Sequence, residues 1–341
     1  MIPVAPIIGL SPMDGITDEA FRLLQVSIAR PNLLFTEFVS AEGLCRGGIK
    51  LFTHLLYSAI ERPIIGQLFG KDPDSFYKSS VILAYLGFDG VDLNLGCPAK
   101  TVFQHGSGAA LIANPTLAKT IIMATHSALS DYAQGKVKIS ELHLNQKTLD
   151  VLASQNRYSG YIPNPYRPTL SVKTRLGISQ DISPDWISYL SRLPLNFITL
   201  HGRTLKEGYS GLANWESIKA AAYLAHDAKI KFFGNGDIGT LAQAKDYCQR
   251  YQVDGCLIGR AALGNPWIFS DHLPTLTDRF NAMLLHTQLY QQVFPDRPLD
   301  SLRHHYLSYV SGHPRAKQLR AKLVTVSTLQ QLLDLEPSIL T

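Results

Sequence analysis

Three stretches decide the fold: Phe197-Ile198-Thr199-Leu200-His201-Gly202-Arg203, Lys231-Phe232-Phe233-Gly234-Asn235-Gly236-Asp237 and Gly255-Cys256-Leu257-Ile258-Gly259-Arg260. Each is a short apolar run that leads into glycine and a charged side chain. Helical segments separate them; Thr240-Leu241-Ala242-Gln243-Ala244 opens the last. Strands that alternate with helices make βα units and a parallel sheet. Upstream the same unit recurs at Ile7-Ile8-Gly9-Leu10, Leu33–Phe38, Pro63–Phe69, Gly90–Leu95 and Leu170–Arg175, eight runs in all. Eight parallel strands close into a barrel. The expected fold is α/β: a (β/α)8 TIM barrel over residues 1–270, then a C-terminal helical domain over residues 271–341.

The helices carry start signals. Thr17-Asp18-Glu19 predicts one with a Thr cap and early acids. Asp72-Pro73, Asn114-Pro115 and Ser183-Pro184 place proline just inside three others. About 70 residues separate the fourth and fifth strands, more than one βα unit needs. A helix from Asn114 to about Ser130 takes up part of this. Residues 131–168 read as an insertion, helical near Asn145 to Gln155 and ending in Tyr161-Ile162-Pro163-Asn164-Pro165-Tyr166-Arg167-Pro168. Because it follows a helix, it is expected at the bottom face, away from the chemistry. Past Leu276, helices are expected at Ser301–Ser311, Lys317–Val324 and Thr328–Leu335.

Composition narrows the classes. Of 341 residues, 45% are hydrophobic and 17% charged, which supports a large core and argues against disorder. No apolar run reaches the roughly 18 residues that span a bilayer, and Met1-Ile2-Pro3-Val4-Ala5-Pro6 lacks the basic start of a signal peptide. A cytoplasmic protein is expected. The four cysteines, Cys45, Cys97, Cys248 and Cys256, form no CxxC pair, so neither a metal site nor a disulfide framework is expected. The net charge of +5 suits a polyanionic partner, though it serves solubility equally.

Every strand ends in polar groups, and in such a barrel the strand C-termini meet at one cavity. In order they are Ser11-Pro12-Met13-Asp14-Gly15, Thr36-Glu37-Phe38, Gln67, Asn94 with Gly96-Cys97-Pro98, Lys173 with Arg175, His201-Gly202-Arg203, Asn235-Gly236-Asp237 and Gly259-Arg260. The bland alternative is loop capping. The last two loops fit a phosphate: small residues expose backbone N–H groups, Arg260 adds a guanidinium and Lys173 a second charge. No GxGxxG follows the first strand, which disfavours a Rossmann nicotinamide site. Cys97 lies on a Gly-Cys-Pro turn at the fourth strand end, where a core thiol is the bland alternative and a metal ligand a poor one.

Together, Ser11–Asp18, Thr36-Glu37-Phe38, Asp92–Pro98, Lys173-Thr174-Arg175, His201-Gly202-Arg203-Thr204, Gly234–Ile238 and Ile258-Gly259-Arg260 resemble the tRNA-dihydrouridine synthase family across the barrel and in the same order. The resemblance implies FMN as cofactor, NADPH as electron donor, tRNA as substrate and reduction of a uridine C5=C6 bond. It places Pro12, Met13 and Asp14 against the flavin, Gln67 at its polar edge, and Lys173 and His201 in contact with it. Asn235, Gly236, Asp237, Gly259 and Arg260 surround the ribityl phosphate. Asn94 and Arg175 hold the uracil, and Cys97 is the general acid. A thiol of ordinary pKa is largely protonated at neutral pH and suits that role.

RNA contact is expected from Lys100, Arg203 and Lys206 at the mouth, and from Arg297, Arg303, His304, His305, Arg315, Lys317, Arg320 and Lys322. A solvated helix face is the alternative for this last group. His105 reads as an RNA contact, a flavin contact or a plain loop residue; Tyr209 as a substrate contact or a packing aromatic. A monomer is expected, leaving the mouth free for tRNA. The rival enzyme reading is an FMN-barrel reductase acting on a small molecule, resembling dihydroorotate dehydrogenases or ene-reductases. The rival outside catalysis is an RNA-binding protein.

Overall fold

The computed structural model describes residues 6–154 and 168–340. The expectations for the extreme N-terminus, for Gln155 and for Tyr161–Arg167 lie outside the described residues. One parallel sheet runs β1-β8-β7-β6-β5-β4-β3-β2. Its strands are β1 (Ile7–Leu10), β2 (Leu34–Ser40), β3 (Ile64–Phe69), β4 (Gly90–Leu95), β5 (Thr169–Arg175), β6 (Phe197–His201), β7 (Lys231–Asn235) and β8 (Gly255–Ile258). Asn32 N donates to Ile8 O and Leu10 N to Leu33 O, both at 2.9 Å, which closes the ring between β1 and β2. All eight apolar runs are strands, as the alternation with helices predicts.

Side chains alternate in and out along each strand. At the lower end of the barrel Ile7, Leu33, Phe35, Ile65, Phe197, Phe233 and Leu257 form a closed apolar cluster. Two residues further along β3 to β6 the inward groups are Gln67, Asp92, Ser171 and Thr199. Asn94, Lys173 and His201 follow at the top. The lower barrel is therefore packed shut, and the polar groups face the C-terminal rim.

Helix α1 (Glu19–Ile28) corrects one cap. Asp18, not Thr17, accepts from Phe21 N, at 2.9 Å. The Thr17 hydroxyl instead binds Met13 through both N and O, each at 3.1 Å, and so folds the loop after β1. Arg22, fully buried, ties α1 to the approach to β3 through Glu61 at 2.6 Å and Leu56 O at 2.5 Å.

The insertion is also corrected. Helix α2 is Ala41–Cys45, α3 is Pro73–Tyr85, α4 is Lys100–Gln104, α5 is Pro115–Ala133 and α6 is Gln146–Ser154. Tyr189 Oη donates to Pro115 O at the start of α5, at 3.0 Å. Helix α5 packs along α3, with Tyr77 Oη donating to Asp131 at 2.9 Å. Beyond it, Thr148 Oγ1 of α6 donates to Leu44 O at 2.8 Å and Asn145 N to Cys45 O at 3.3 Å. The described part of the insertion braces the segment after β2 instead of lying at the bottom. The helical reading near Asn145 holds, as α6.

Helices α7 (Ser183–Leu190), α8 (Trp215–Asp227) and α9 (Leu241–Arg250) follow β5, β6 and β7. After β8 come α10 (Leu276–Val293), α11 (Arg303–Tyr309), α12 (Ala316–Leu323), α13 (Leu329–Leu333) and α14 (Glu336–Leu340). They build a second core around Phe280, Met283, Tyr306 and Leu323, which docks on Ala20 and Leu24 of α1. His305, expected among the RNA contacts, is 2% exposed and packs on Phe21 at 5.2 Å between ring centroids. It sits on the inner face of α11, so its charge would have no water to solvate it. No helix among the described residues is long and apolar enough to cross a membrane.

Burial, with the charge of His304 adding to it, pushes His286 down to about 3. His305 is pushed down by burial and by the same neighbours. The unfolded chain takes up these protons near pH 6.5, whereas the folded chain resists until far lower. Stability is therefore full above about pH 6.5 and falls as the pH drops toward 3. Urea unfolding at pH 7 and pH 5 should show wild type losing about 2 kcal/mol more than His286→Gln, at ~1.4 kcal/mol per pH unit for one histidine. Equal losses would remove His286 from the account.

Candidate active site

Two cavities open at the C-terminal rim and share a wall. The larger, about 500 Å3, is bounded by Ser11, Lys173, His201, Asn235, Gly236, Asp237, Gly259 and Arg260. The smaller, about 360 Å3, is bounded by Asp14, Phe38, Gln67, Asn94 and Cys97. Pro12, Met13, Lys173, Arg175, Tyr209 and Arg260 border both.

A hydrogen-bond chain built from inward positions of β3, β4 and β5 supports the smaller cavity. Ser171 Oγ donates to Asp92 Oδ1 at 2.6 Å, and Gln67 Nε2 donates to Asp92 Oδ2 at 2.7 Å. Asn94 Nδ2 donates to Gln67 Oε1 at 3.1 Å. Asn94 Oδ1 then accepts from Gly96 N at 3.1 Å and Cys97 N at 2.9 Å. Asn94 thus holds the turn that presents Cys97, and one amide hydrogen remains for the cavity. Sequence reading missed Asp92 and Ser171 as site supports. The two-residue period of β4, which puts Asp92 and Asn94 on one face, was the available signal.

Arg175 is also built into the turn. Its Nε donates to Gly96 O at 2.8 Å and its Nη1 to Thr204 O at 3.1 Å, which joins the loops after β4 and β6. The Cys97 thiol is 6% exposed. Burial raises its pKa, and the charge of Asp14 adds to that; Arg175 and Lys173 oppose. It is a protonated thiol at neutral pH. Cys248 and Cys256 are the core thiols expected, 3.4 Å apart between sulfurs.

The larger cavity is cationic. Burial, and then the charge of Arg175, lower Lys173 to about 8. Burial pushes His201 down to about 2, with Lys173, Arg175, Arg203 and Arg260 all adding to the effect. It is a neutral imidazole whose Nε2 faces Arg203 Nη1 at 3.5 Å. Asn235 Nδ2 donates to Leu257 O at 2.7 Å and locks β7 to β8. Gly236 has φ 125°, and a Cβ there would lie 2.7 Å from Ala213 Cβ and 3.1 Å from the His201 ring. Only glycine leaves that loop against the histidine.

Two expected contacts sit differently. Arg203, expected at the mouth, is 1% exposed. It donates to Ser210 O at 3.1 Å, Gly211 O at 2.5 Å and Asp237 Oδ2 at 2.5 Å, so the loop after β6 folds over it. The Asp237 carboxylate offers no donor to a phosphate, so only its backbone N–H could serve. Burial works against its carboxylate, but Ala213 N, Arg203 and Arg260 together keep its pKa below the ordinary value. Arg260 reaches Asp237 at 3.2 Å and lies under the Tyr209 ring at 4.6 Å. Tyr209, 62% exposed, is the roof between the cavities. Lys206 is exposed, and Lys100 begins α4; the Lys100 side chain lies outside the described residues. Among the described residues no group of three or more His, Cys, Asp or Glu is placed to hold a metal ion.

Comparison with known proteins shows the family. The sequence profile described as Dihydrouridine synthase (Dus) matches residues 9–155 and 164–340. The chain belongs to the dihydrouridine synthase family of enzymes. It is 30% identical over 337 residues to a probable tRNA-dihydrouridine synthase of Staphylococcus aureus (strain MRSA252), covering 96% of this chain and 90% of the relative. It is 27% identical over 338 residues to probable tRNA-dihydrouridine synthase 2 of Bacillus subtilis (strain 168), covering 96% and 92%. In fold alone it is similar to a solved DHODH in complex with ferulenol from Eimeria tenella. The TM-score is 0.50 at 12% identity, over 77% of this chain and 78% of that one. The family spans both the barrel and the helices after it.

Alkylation of Cys97, followed by peptide mass spectrometry from pH 7 to 10, should show a midpoint above the ordinary thiol value. Asp14→Asn should lower it, because one of the raising charges is gone. A midpoint below that value in wild type would contradict the buried, protonated thiol.

Proposed function

We propose that this family member reduces the C5=C6 bond of a uridine in tRNA, with FMN as resident cofactor and NADPH as electron donor, as a cytoplasmic monomer. One observation carries the reading. A protonated thiol, Cys97, borders a cavity that opens directly into a cationic one of nucleotide size, in a chain that the family profile matches almost throughout.

The residues fit the cofactor. Lys173 and Arg260 provide positive charge for its phosphate and ring edge, and neutral His201 keeps an N–H to donate. Gly236 and Gly259 leave room for backbone approach, and Asn235 frames the tail. Arg203 acts through Asp237 and His201, as a positioning residue. Asp237 orients Arg203 and Arg260 toward the tail. Pro12, Met13 and Asp14, which border the smaller cavity, would hold the ring, and Gln67 would meet its polar edge. When bound and reduced, FMN supplies a hydride to uracil C6.

The chain's own residues do the rest. Asn94, through its remaining amide hydrogen, and Arg175, through its outer nitrogen, hold the uracil carbonyls. They draw negative charge onto the C4 oxygen, where electrons from the C5=C6 bond accumulate. Cys97 Sγ then delivers its proton to C5. A thiol held protonated by burial is in the correct state beforehand. Tyr209 covers the base and excludes water. Lys100 and Lys206 take RNA phosphates at the mouth, with Arg297, Arg303, His304, Arg315, Lys317, Arg320 and Lys322 continuing along the helices.

Purified protein, unmodified tRNA and NADPH should yield dihydrouridine by nucleoside mass spectrometry. Cys97→Ala should keep its flavin absorbance and bind tRNA, with turnover reduced by about 10²–10⁴; full turnover would remove the proton-donor role. Arg260→Ala should lose flavin on dialysis, and undiminished flavin content would sink its phosphate assignment. A protein that reduces enones or free pyrimidines but not tRNA would move the reading to a small-molecule reductase.

A further inference from the structure

A third cavity, about 450 Å3, adjoins the Cys97 cavity on its outer side. The same three segments line both. The end of β2 gives Phe38 to one and Ser40 to the other; β3 gives Gln67 and then Phe69; the segment after β4 gives Cys97 and then Thr101 and Val102. The common wall is an aromatic pair. Phe38 and Phe69 meet edge-on, with centroids 5.0 Å apart and planes at 82°. Helix α4, three residues past Cys97, forms the facing wall.

The polar groups in this groove are of two kinds. Its carboxylates are committed: Glu42 accepts from Lys71 N at 2.7 Å and Asp72 N at 3.0 Å, while Asp72 accepts from Ser75 N at 3.0 Å. Its cations are not. Arg46 and Lys71 donate no side-chain hydrogen bond among the described residues. His105 has its Nδ1 2.6 Å from Thr101 O. A carbonyl only accepts, so Nδ1 carries the proton and Nε2 of the neutral ring is left as an acceptor. The groove therefore offers an aromatic wall, two cations for one phosphate, and an acceptor for a hydroxyl. Two cations beside two committed carboxylates suit a single phosphodiester, not a long polyanion.

We propose that this groove holds the nucleotide next to the target uridine, with its base against Phe69 and Val102, its phosphate on Arg46 and Lys71, and its 2′-hydroxyl donating to His105. This rests on the reading that the chain acts on RNA. An exposed base stacks on an aromatic face whatever its identity, and the 2′-hydroxyl is what marks RNA. Turning a uridine out of a folded RNA unstacks its neighbour. A seat for that neighbour beside the Cys97 cavity offsets the lost stacking and fixes the backbone at the point where the target base enters.

The test uses the flavin-loaded protein and filter binding of unmodified tRNA, which does not depend on turnover. Arg46→Ala with Lys71→Ala should weaken tRNA binding about tenfold and Phe69→Leu about fivefold. Flavin absorbance and the KM for NADPH should stay unchanged. A tRNA made abasic beside the mapped target uridine should bind wild type about fivefold more weakly and Phe69→Leu no more weakly than intact tRNA does. Binding within twofold of wild type in both variants overturns the proposal. So does a rise in the NADPH KM without a loss of tRNA binding, which would make the groove a dinucleotide site. Wild-type protein that binds tRNA but forms no dihydrouridine defeats the activity proposed above; the groove then stands or falls on the binding data alone.

Discussion

The apolar cluster at the base of the barrel is the constraint on which the rest depends. Ile7, Leu33, Phe35, Ile65, Phe197, Phe233 and Leu257 fill the lower interior. Each contributes roughly 1.5–3 kcal/mol by burial, and together they close the lower interior. Strand alternation then sends the inward side chains of the next layers upward into the rim. The chemistry is at the C-terminal end because the other end is packed shut.

Above that floor, two kinds of polar organisation divide the rim. On the β3–β5 side a run of hydrogen bonds passes from Ser171 through Asp92, Gln67 and Asn94 to the Cys97 turn. In a low-dielectric interior such a run is strong only when its members are bonded, and here each one is, with one Asn94 amide hydrogen left toward the cavity. It makes the placement of the thiol a property of the barrel, not of a free loop. On the β5–β8 side cations crowd together: Lys173, Arg175 and Arg260 line the cavity, with Arg203 buried behind it and Asp237 among them. Burial first, and then these charges, hold His201 neutral; burial, and then Arg175, lower Lys173. An anionic ligand would relieve the repulsion among these cations.

The helices after β8 belong to the same machine through α1. Their core closes over Ala20 and Leu24, while Arg22 of the same helix holds Thr17 O at 2.6 Å, at the end of the β1 loop that borders both cavities. Glu37 steadies that loop as well, accepting from Gly15 N at 2.6 Å and pairing with His54 Nδ1 at 2.8 Å. Arg297 reaches Thr53 beside that histidine at 2.7 Å. The C-terminal helices and the β1 loop that borders both cavities are thus joined through a few contacts.

The sequence by itself determined the number and order of strands, because an apolar run bounded by glycine and charge can bury itself in little but a parallel strand. It also determined the chemical inventory of the rim, because strand C-termini in a closed barrel have one place to meet. Only the tertiary structure decided which of those groups point where. Arg203 and His305 read as surface cations from local sequence, yet one is roofed by its own loop and the other is pressed against Phe21. The described part of the insertion packs on the segment after β2 because Thr148 and Asn145 bond Leu44 O and Cys45 O, pairings that no local stretch shows. Asp92 and Ser171 are eighty residues apart in the chain, roughly, and become partners only when β4 and β5 pair in register. Burial and long-range pairing are properties of the closed barrel, and no local stretch of chain encodes them.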